Sequence, residues 1–211
     1  MNANVGFQTY LYSLDDPDET QRRCRACGRS AKRTHVAMPE GPEGAKLFLL
    51  YDSPMDRATL TSGESASASD NSLSAILSEY GISHKDCASG DCCACETPER
   101  RRPTRFEVNA CSHWLWLSLT QRFSPHVVLA IGATASCLFY EASTLSVAIR
   151  YSAKAKYVPD LPWARLANLR VVPAPQAESL AAQRRSFDGR TWTSIAKDQV
   201  AIAASLLTES N

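Results

Sequence analysis

The chain is 211 residues long, carries a formal net charge of +1 and is 44% hydrophobic. That supports one domain with a sizeable core, and the charge alone names no polyanionic partner, since clustering rather than net charge governs nucleic-acid binding. No apolar run approaches the roughly 18 residues of a membrane helix, and the start MNANVGFQTYLYSLDDPDET has no basic segment leading into an apolar one; no membrane partner is expected, and the expected setting is a reducing cytoplasm.

Residues 1–20 read as a polar, acidic lead-in, followed by RRCRACGRSAKR with Cys24 and Cys27. AKLFLLYDSP predicts a buried strand over Lys46–Tyr51 that stops at Ser53-Pro54. TLTSGESASASDNS is Ser-rich and reads as a loop, and SLSAILSEYGI reads as a short amphipathic helix ended by Gly81. In PTRFEVNACSHWLWLSLTQRFSP, Thr104 and Glu107 form a capping box and Pro125 closes the segment. Phe106, Ala110, Trp114, Leu117 and Gln121 are expected along one side of that helix. HVVLAIG is a second buried strand, ATASCLFYEA a helix opening after Gly132, NLRVVPAP a third strand and RTWTSIAKDQVAIAASLL a closing helix. Apolar strands alternating with helices predict an α/β fold with a mostly parallel sheet, in which ligands sit beyond the carboxyl ends of the strands. That places Tyr51-Asp52-Ser53, Gly132-Ala133-Thr134 and Pro173-Ala174-Pro175 on one rim.

Persistent disulfides are rare in a reducing compartment, so eight cysteines argue for metal ligands, with the rest as small buried hydrophobes. Two sets compete. Cys24, Cys27, Cys92 and Cys95 have the two-knuckle spacing of a structural zinc site; Cys24, Cys27, Cys95 and Cys111 could hold zinc or a [4Fe–4S] cluster. Spacing alone leaves both open.

The stretch CETPERRRPTRFEVNACSHWLWLSLTQRFSPHVVLAIGATA resembles the iron–sulfur branches (families 4 and 5) of the uracil-DNA glycosylase superfamily. The matching positions are Cys95, Pro98, Pro103, Glu107, Cys111, Pro125 with Val127 and Val128, and Ile131-Gly132 with Ala135, preceded by the Cys24-x-x-Cys27 opening. The resemblance implies a single domain over 1–211, a three-layer α/β/α fold around a mostly parallel four-stranded sheet, and a [4Fe–4S] cluster on Cys24, Cys27, Cys95 and Cys111, all within 24–111. Cys87, Cys92, Cys93 and Cys137 are then expected to be packing residues. DNA is the implied partner, and the implied setting is the cytoplasm of a bacterial or phage-infected host cell, with the protein a monomer.

The same resemblance implies a pocket for a base flipped out of the stack. Asp52 falls at the family's acidic position and Pro54 at its motif proline, with Ser53 between, while Met55 replaces the motif glycine. Thr61 falls where an aromatic stacks on the base, Asp91 where an asparagine reads the uracil edge, and Ala174 where a histidine assists the departing base, followed by Pro175 and Gln176. An alanine donates nothing to a leaving pyrimidine, and losing one such donor costs on the order of 10²–10³ in rate. Ordinary uracil excision is therefore not expected. Two readings follow: a pocket retuned for a modified pyrimidine, with Asp52 and Asp91 as catalytic acids, or a catalytically inactive DNA-binding module. The first includes a phage-type transfer of a small amine or amino-acid co-substrate onto a 5-pyrophosphoryloxymethyl base, with Asp52 or Asp91 orienting the amine.

Arg100, Arg101, Arg102 and Arg105 lead into the capped helix, where phosphates are favoured. With Arg22, Arg23, Arg25, Arg29, Lys32 and Arg33 they are expected to form one positive DNA-facing patch, and RYSAKAKY (150–157) is a weaker candidate for strand contact.

Overall fold

Alternate residues of two apolar strands point to opposite sides, and each side is covered by helices. The computed structural model describes residues 16–54, 70–97, 101–140, 144–152, 169–176, 179–180 and 188–209. Four strands, β1 (Leu47–Tyr51), β2 (Ala88–Asp91), β3 (Val127–Ile131) and β4 (Arg170–Ala174), pair in the order β2-β1-β3-β4, all parallel. Phe48, Leu50, Val128 and Ala130 face a core shared with helices α3 (Arg105–Leu117), α4 (Ala133–Tyr140) and α5 (Leu145–Ser152). Leu47, Leu49, Tyr51, Leu129 and Ile131 face the opposite core, closed by α2 (Asp70–Glu79) and the last helix, α6 (Trp192–Glu209). This is the expected three-layer α/β/α sandwich. It buries both faces of the sheet, as parallel strands require.

Three elements escape the sequence reading. Helix α1 (Pro17–Arg23) lies in the supposed lead-in, where Asp16 accepts a capping bond from Glu19 N at 2.9 Å and Pro17 occupies the first turn. Strand β2, ASGD, has no apolar run to betray it. Its Gly90 lies against the Phe48 ring, where an added Cβ would come within 2.8 Å, and an isolated bridge between Glu40 and Ser89 covers its outer edge. Helix α5 has no counterpart among the expected elements.

Helix α3 begins with the expected capping box: Thr104 Oγ1 accepts from Glu107 N, and Glu107 Oε2 accepts from Thr104 N. Its buried side differs from the expected one, comprising Glu107, Val108, Trp114, Leu115, Trp116 and Leu117. Phe106 points outward and is 70% exposed, and Gln121, in the π-helical turn Ser118–Arg122, is exposed as well. Among the described residues, no helix is long and apolar enough to cross a membrane.

Candidate functional site

Four cysteines from three stretches converge on one cavity. Cys24 ends α1, Cys27 precedes the 3-10 turn Gly28–Ala31, Cys95 bridges Val36 in an antiparallel contact, and Cys111 lies on α3. All four line one small cavity whose remaining wall includes Gln21, Val36, Ala94 and Trp114. Four thiols on one wall are a donor set that fits a thiolate-held metal group. Trp114 Nε1–H, on the same wall, is buried with no hydrogen-bond partner among the described residues. Cys92, of the alternative zinc set, is buried in the sheet core with Phe48 and Ala130 and is not on this cavity's wall.

Basic residues hold these stretches together from within. Arg33 donates to Cys24 O at 2.5 Å and to Arg22 O at 2.6 Å, and its Nη1 lies 3.8 Å from Cys95 Sγ. Buried Arg29 donates to Cys95 O and to Arg101 O and sits 3.8 Å from Glu107 Oε2. Arg101 clasps Glu107 in a fork, with Nη1 2.7 Å from Oε2. Chiefly because of the Arg101 bonds, the Glu107 carboxyl is held down to about 2. Cys93, buried, hydrogen-bonds Cys111 through its thiol, which favours the Cys111 thiolate. Of the residues expected on the basic patch, Arg29 is buried and Arg33 half-buried, Arg101 is exposed while it clasps Glu107, and Arg22 and Arg23 pair with Glu19 at the surface. A run of arginines in sequence cannot reveal which of them face inward.

The rim at the carboxyl ends of the strands is built around Asp52. Tyr51 pairs with Ile131 and Asp91, and Ile131 pairs with Ala174, so the strand ends stand in one row. Asp52, the next residue after β1, is fully buried. Its Oδ1 accepts from Ala135 N at 2.7 Å in the first turn of α4, and its Oδ2 accepts from Gln176 Nε2 at 2.9 Å. Both donors favour the anion. Gln176 Oε1 in turn accepts from Arg102 Nη2 at 3.3 Å, tying the arginine segment to the acid. Gly132 makes the arrangement possible. Its φ is +108°, and a Cβ there would stand 2.6 Å from Asp52 Oδ1 and 2.8 Å from Gln176 Nε2. Burial and the Asp52 charge together push the Cys137 thiol up, so it is not a thiolate at neutral pH.

The other expected site residues divide. Ser53, Pro54, Ala174, Pro175 and Gln176 are buried at the rim near Asp52, and Gln176 donates to the acid. Asp91, beside Tyr51 at the end of β2, lines a small cavity with Gln21, Ala37, Cys111, Trp114 and Ser118. Thr61, Arg100, Pro98, Met55 and 153–157 of the RYSAKAKY segment lie outside the described residues, as does most of the Ser-rich stretch. The Gln176 link to Asp52 was beyond sequence reasoning, because 124 positions separate the two residues.

A parallel α/β/α sandwich with an acid fixed at the switch from β1 into the rim, and a four-cysteine cavity beside it, defines a narrow class. Residues 38–198 match the model of the uracil DNA glycosylase superfamily, and the chain belongs to that superfamily. It is similar to the type-4 uracil-DNA glycosylase of Thermotoga maritima, with 29% identity over 129 residues, 61% of this chain and 67% of that protein. It is also similar to the type-4 uracil-DNA glycosylase of Archaeoglobus fulgidus, 23% identical over 175 residues that cover 83% of this chain and 87% of the relative. The corresponding protein of Saccharolobus solfataricus is 22% identical over 121 residues, 57% of this chain and 56% of its own length.

Proposed function

We propose that this protein binds DNA, draws an altered pyrimidine into the rim pocket and cleaves its bond to the sugar, with Asp52 as the catalytic carboxylate. The observation that supports this reading most is the fixing of Asp52 between Ala135 N and Gln176 Nε2, which holds a buried anion at the sheet's ligand-binding edge. In such a cleavage the C1′–N bond breaks with its electron pair leaving on the base, and water supplies the oxygen to C1′ and the proton to the base. A preorganised anion stabilises the positive charge that develops on the sugar. Ala174 offers the departing base no hydrogen bond, so the base should be one that leaves readily by its own substituents rather than plain uracil. The type-4 uracil-DNA glycosylases among the relatives favour excision; no residue contact favours the amine-transfer reading over it.

Cys24, Cys27, Cys95 and Cys111 would hold a [4Fe–4S] cluster, whose contribution is to fasten α1, the Cys95 segment and α3 into one body. Arg102 and Arg105 remain exposed and would contact phosphate. The test incubates the protein with oligonucleotides bearing uracil, 5-hydroxymethyluracil and 5-pyrophosphoryloxymethyluracil, with and without amino acids, and weighs the products. Loss of the base mass, abolished in Asp52→Asn, supports excision; a mass gain matching an amine adduct supports transfer; no product, or product undiminished in Asp52→Asn, removes the catalytic reading.

A further inference from the structure

Phe106 is the most exposed large apolar side chain among the described residues, at 70% against 39% for Tyr80 and 40% for Ile202. Single exposed apolar residues are ordinary. What sets this one apart is its surroundings. It stands in the first turn of α3, next to Arg105, which is exposed and makes no hydrogen bond or ion pair among the described residues. Four positions earlier, Arg102 reaches Gln176, and Gln176 holds Asp52, so this turn adjoins the rim. Exposed Asn109 follows one turn later, while Glu107 and Val108 between them face inward. The helix thus turns a bare aromatic ring and a free guanidinium outward from the edge of the proposed pocket. A second copy of this chain is a poor occupant, since it would set Arg102 and Arg105 against their own like charges. A nucleic-acid strand suits both groups, because its bases offer faces for an aromatic ring and its phosphates pair with the guanidinium.

We propose that Phe106 stacks on an unpaired base of the bound DNA strand while Arg105 pairs with an adjacent phosphate, so that together they grip DNA where its stacking is already broken. The inference rests on the DNA-binding reading above and adds to it a preference for disrupted over intact duplex.

The experiment measures affinity, in the full-length protein, for an intact duplex and for the same duplex with a single-base gap opposite 2-aminopurine. Wild type, Phe106→Ala, Phe106→Trp and Arg105→Ala are compared across a salt series. Phe106→Ala is expected to bind the gapped duplex about tenfold more weakly and the intact duplex unchanged, with Phe106→Trp restoring the loss. Quenching of 2-aminopurine should be lost in Phe106→Ala and kept in Phe106→Trp. Arg105→Ala should weaken both duplexes alike and lower the salt slope by about one. If wild type binds the gapped duplex and Phe106→Ala binds it equally well with equal quenching, the stacking role is overturned while DNA binding stands. If wild type binds neither duplex, the DNA-binding reading fails and takes this inference with it.

Discussion

Replacing Glu107 by Gln removes the one carboxylate that the arginines of this region share. Glu107 accepts from Arg101 and from Thr104 N, and it faces Arg29, whose side chain is buried. A carboxyl held at about 2 in place of its ordinary 4.5 corresponds to about 3 kcal/mol at full strength. The Arg101 side chain is 42% exposed, so solvent screening brings that share to about 2 kcal/mol. Gln keeps the acceptor for Thr104 N but presents an amide to two guanidinium groups, and it leaves Arg29 without its counter-charge. Stranding one member of a buried pair costs about 3–5 kcal/mol. The carbonyls of Cys95 and Arg101 still bond Arg29, which moderates the loss, and a total of about 2–4 kcal/mol is expected. The assay is urea unfolding of wild type and Glu107→Gln across a pH series. Because the folded carboxyl titrates below the unfolded one, its contribution is fully present above about 4.5 and is lost as pH falls toward about 2. The gap between the two proteins should therefore shrink over that window. A gap under about 0.5 kcal/mol at pH 7, or one of constant size down to pH 3, would refute the reasoning.

Other expectations follow from the same contacts. Gly132→Ala places a Cβ 2.6 Å from Asp52 Oδ1 at a φ of +108°, and should lower both the melting temperature and any base-processing activity; a fully active, equally stable variant would show that Asp52 is not held there. Arg33→Met cuts the tie between the Cys24 loop and Cys95, and the cluster proposed on the four cysteines should be lost to a chelator about 10- to 100-fold more readily, read from the visible absorption of the protein. Serine at Cys24, Cys27, Cys95 or Cys111 should each abolish stoichiometric iron and sulfide, whereas Cys137→Ser and Cys92→Ser should retain them; iron content indifferent to Cys111→Ser would remove the four-ligand assignment.

The sandwich was legible because its two central strands are unbroken apolar runs of strand length bounded by turn residues, as a sheet covered on both faces requires, and because Thr104 and Glu107 announce a helix start through bonds made within four residues. Strand β2 was not legible: ASGD owes its place to the Phe48 ring beneath Gly90 and to its neighbour's backbone, neither of which is local. The four cysteines could be nominated from spacing and resemblance, but only the fold places Cys92 in the core and Cys111 on the cavity wall with Cys24, Cys27 and Cys95. The arginines show the limit most plainly. Their charge is written in the sequence, yet whether a guanidinium meets solvent, a carbonyl or a carboxylate depends on which distant backbone arrives beside it. Tertiary structure turned Arg29 and Arg33 inward as struts, paired the exposed Arg101 with Glu107 and left Phe106 and Arg105 outside, because helix α3 could bury only the face that Glu107 and Val108 present to the core.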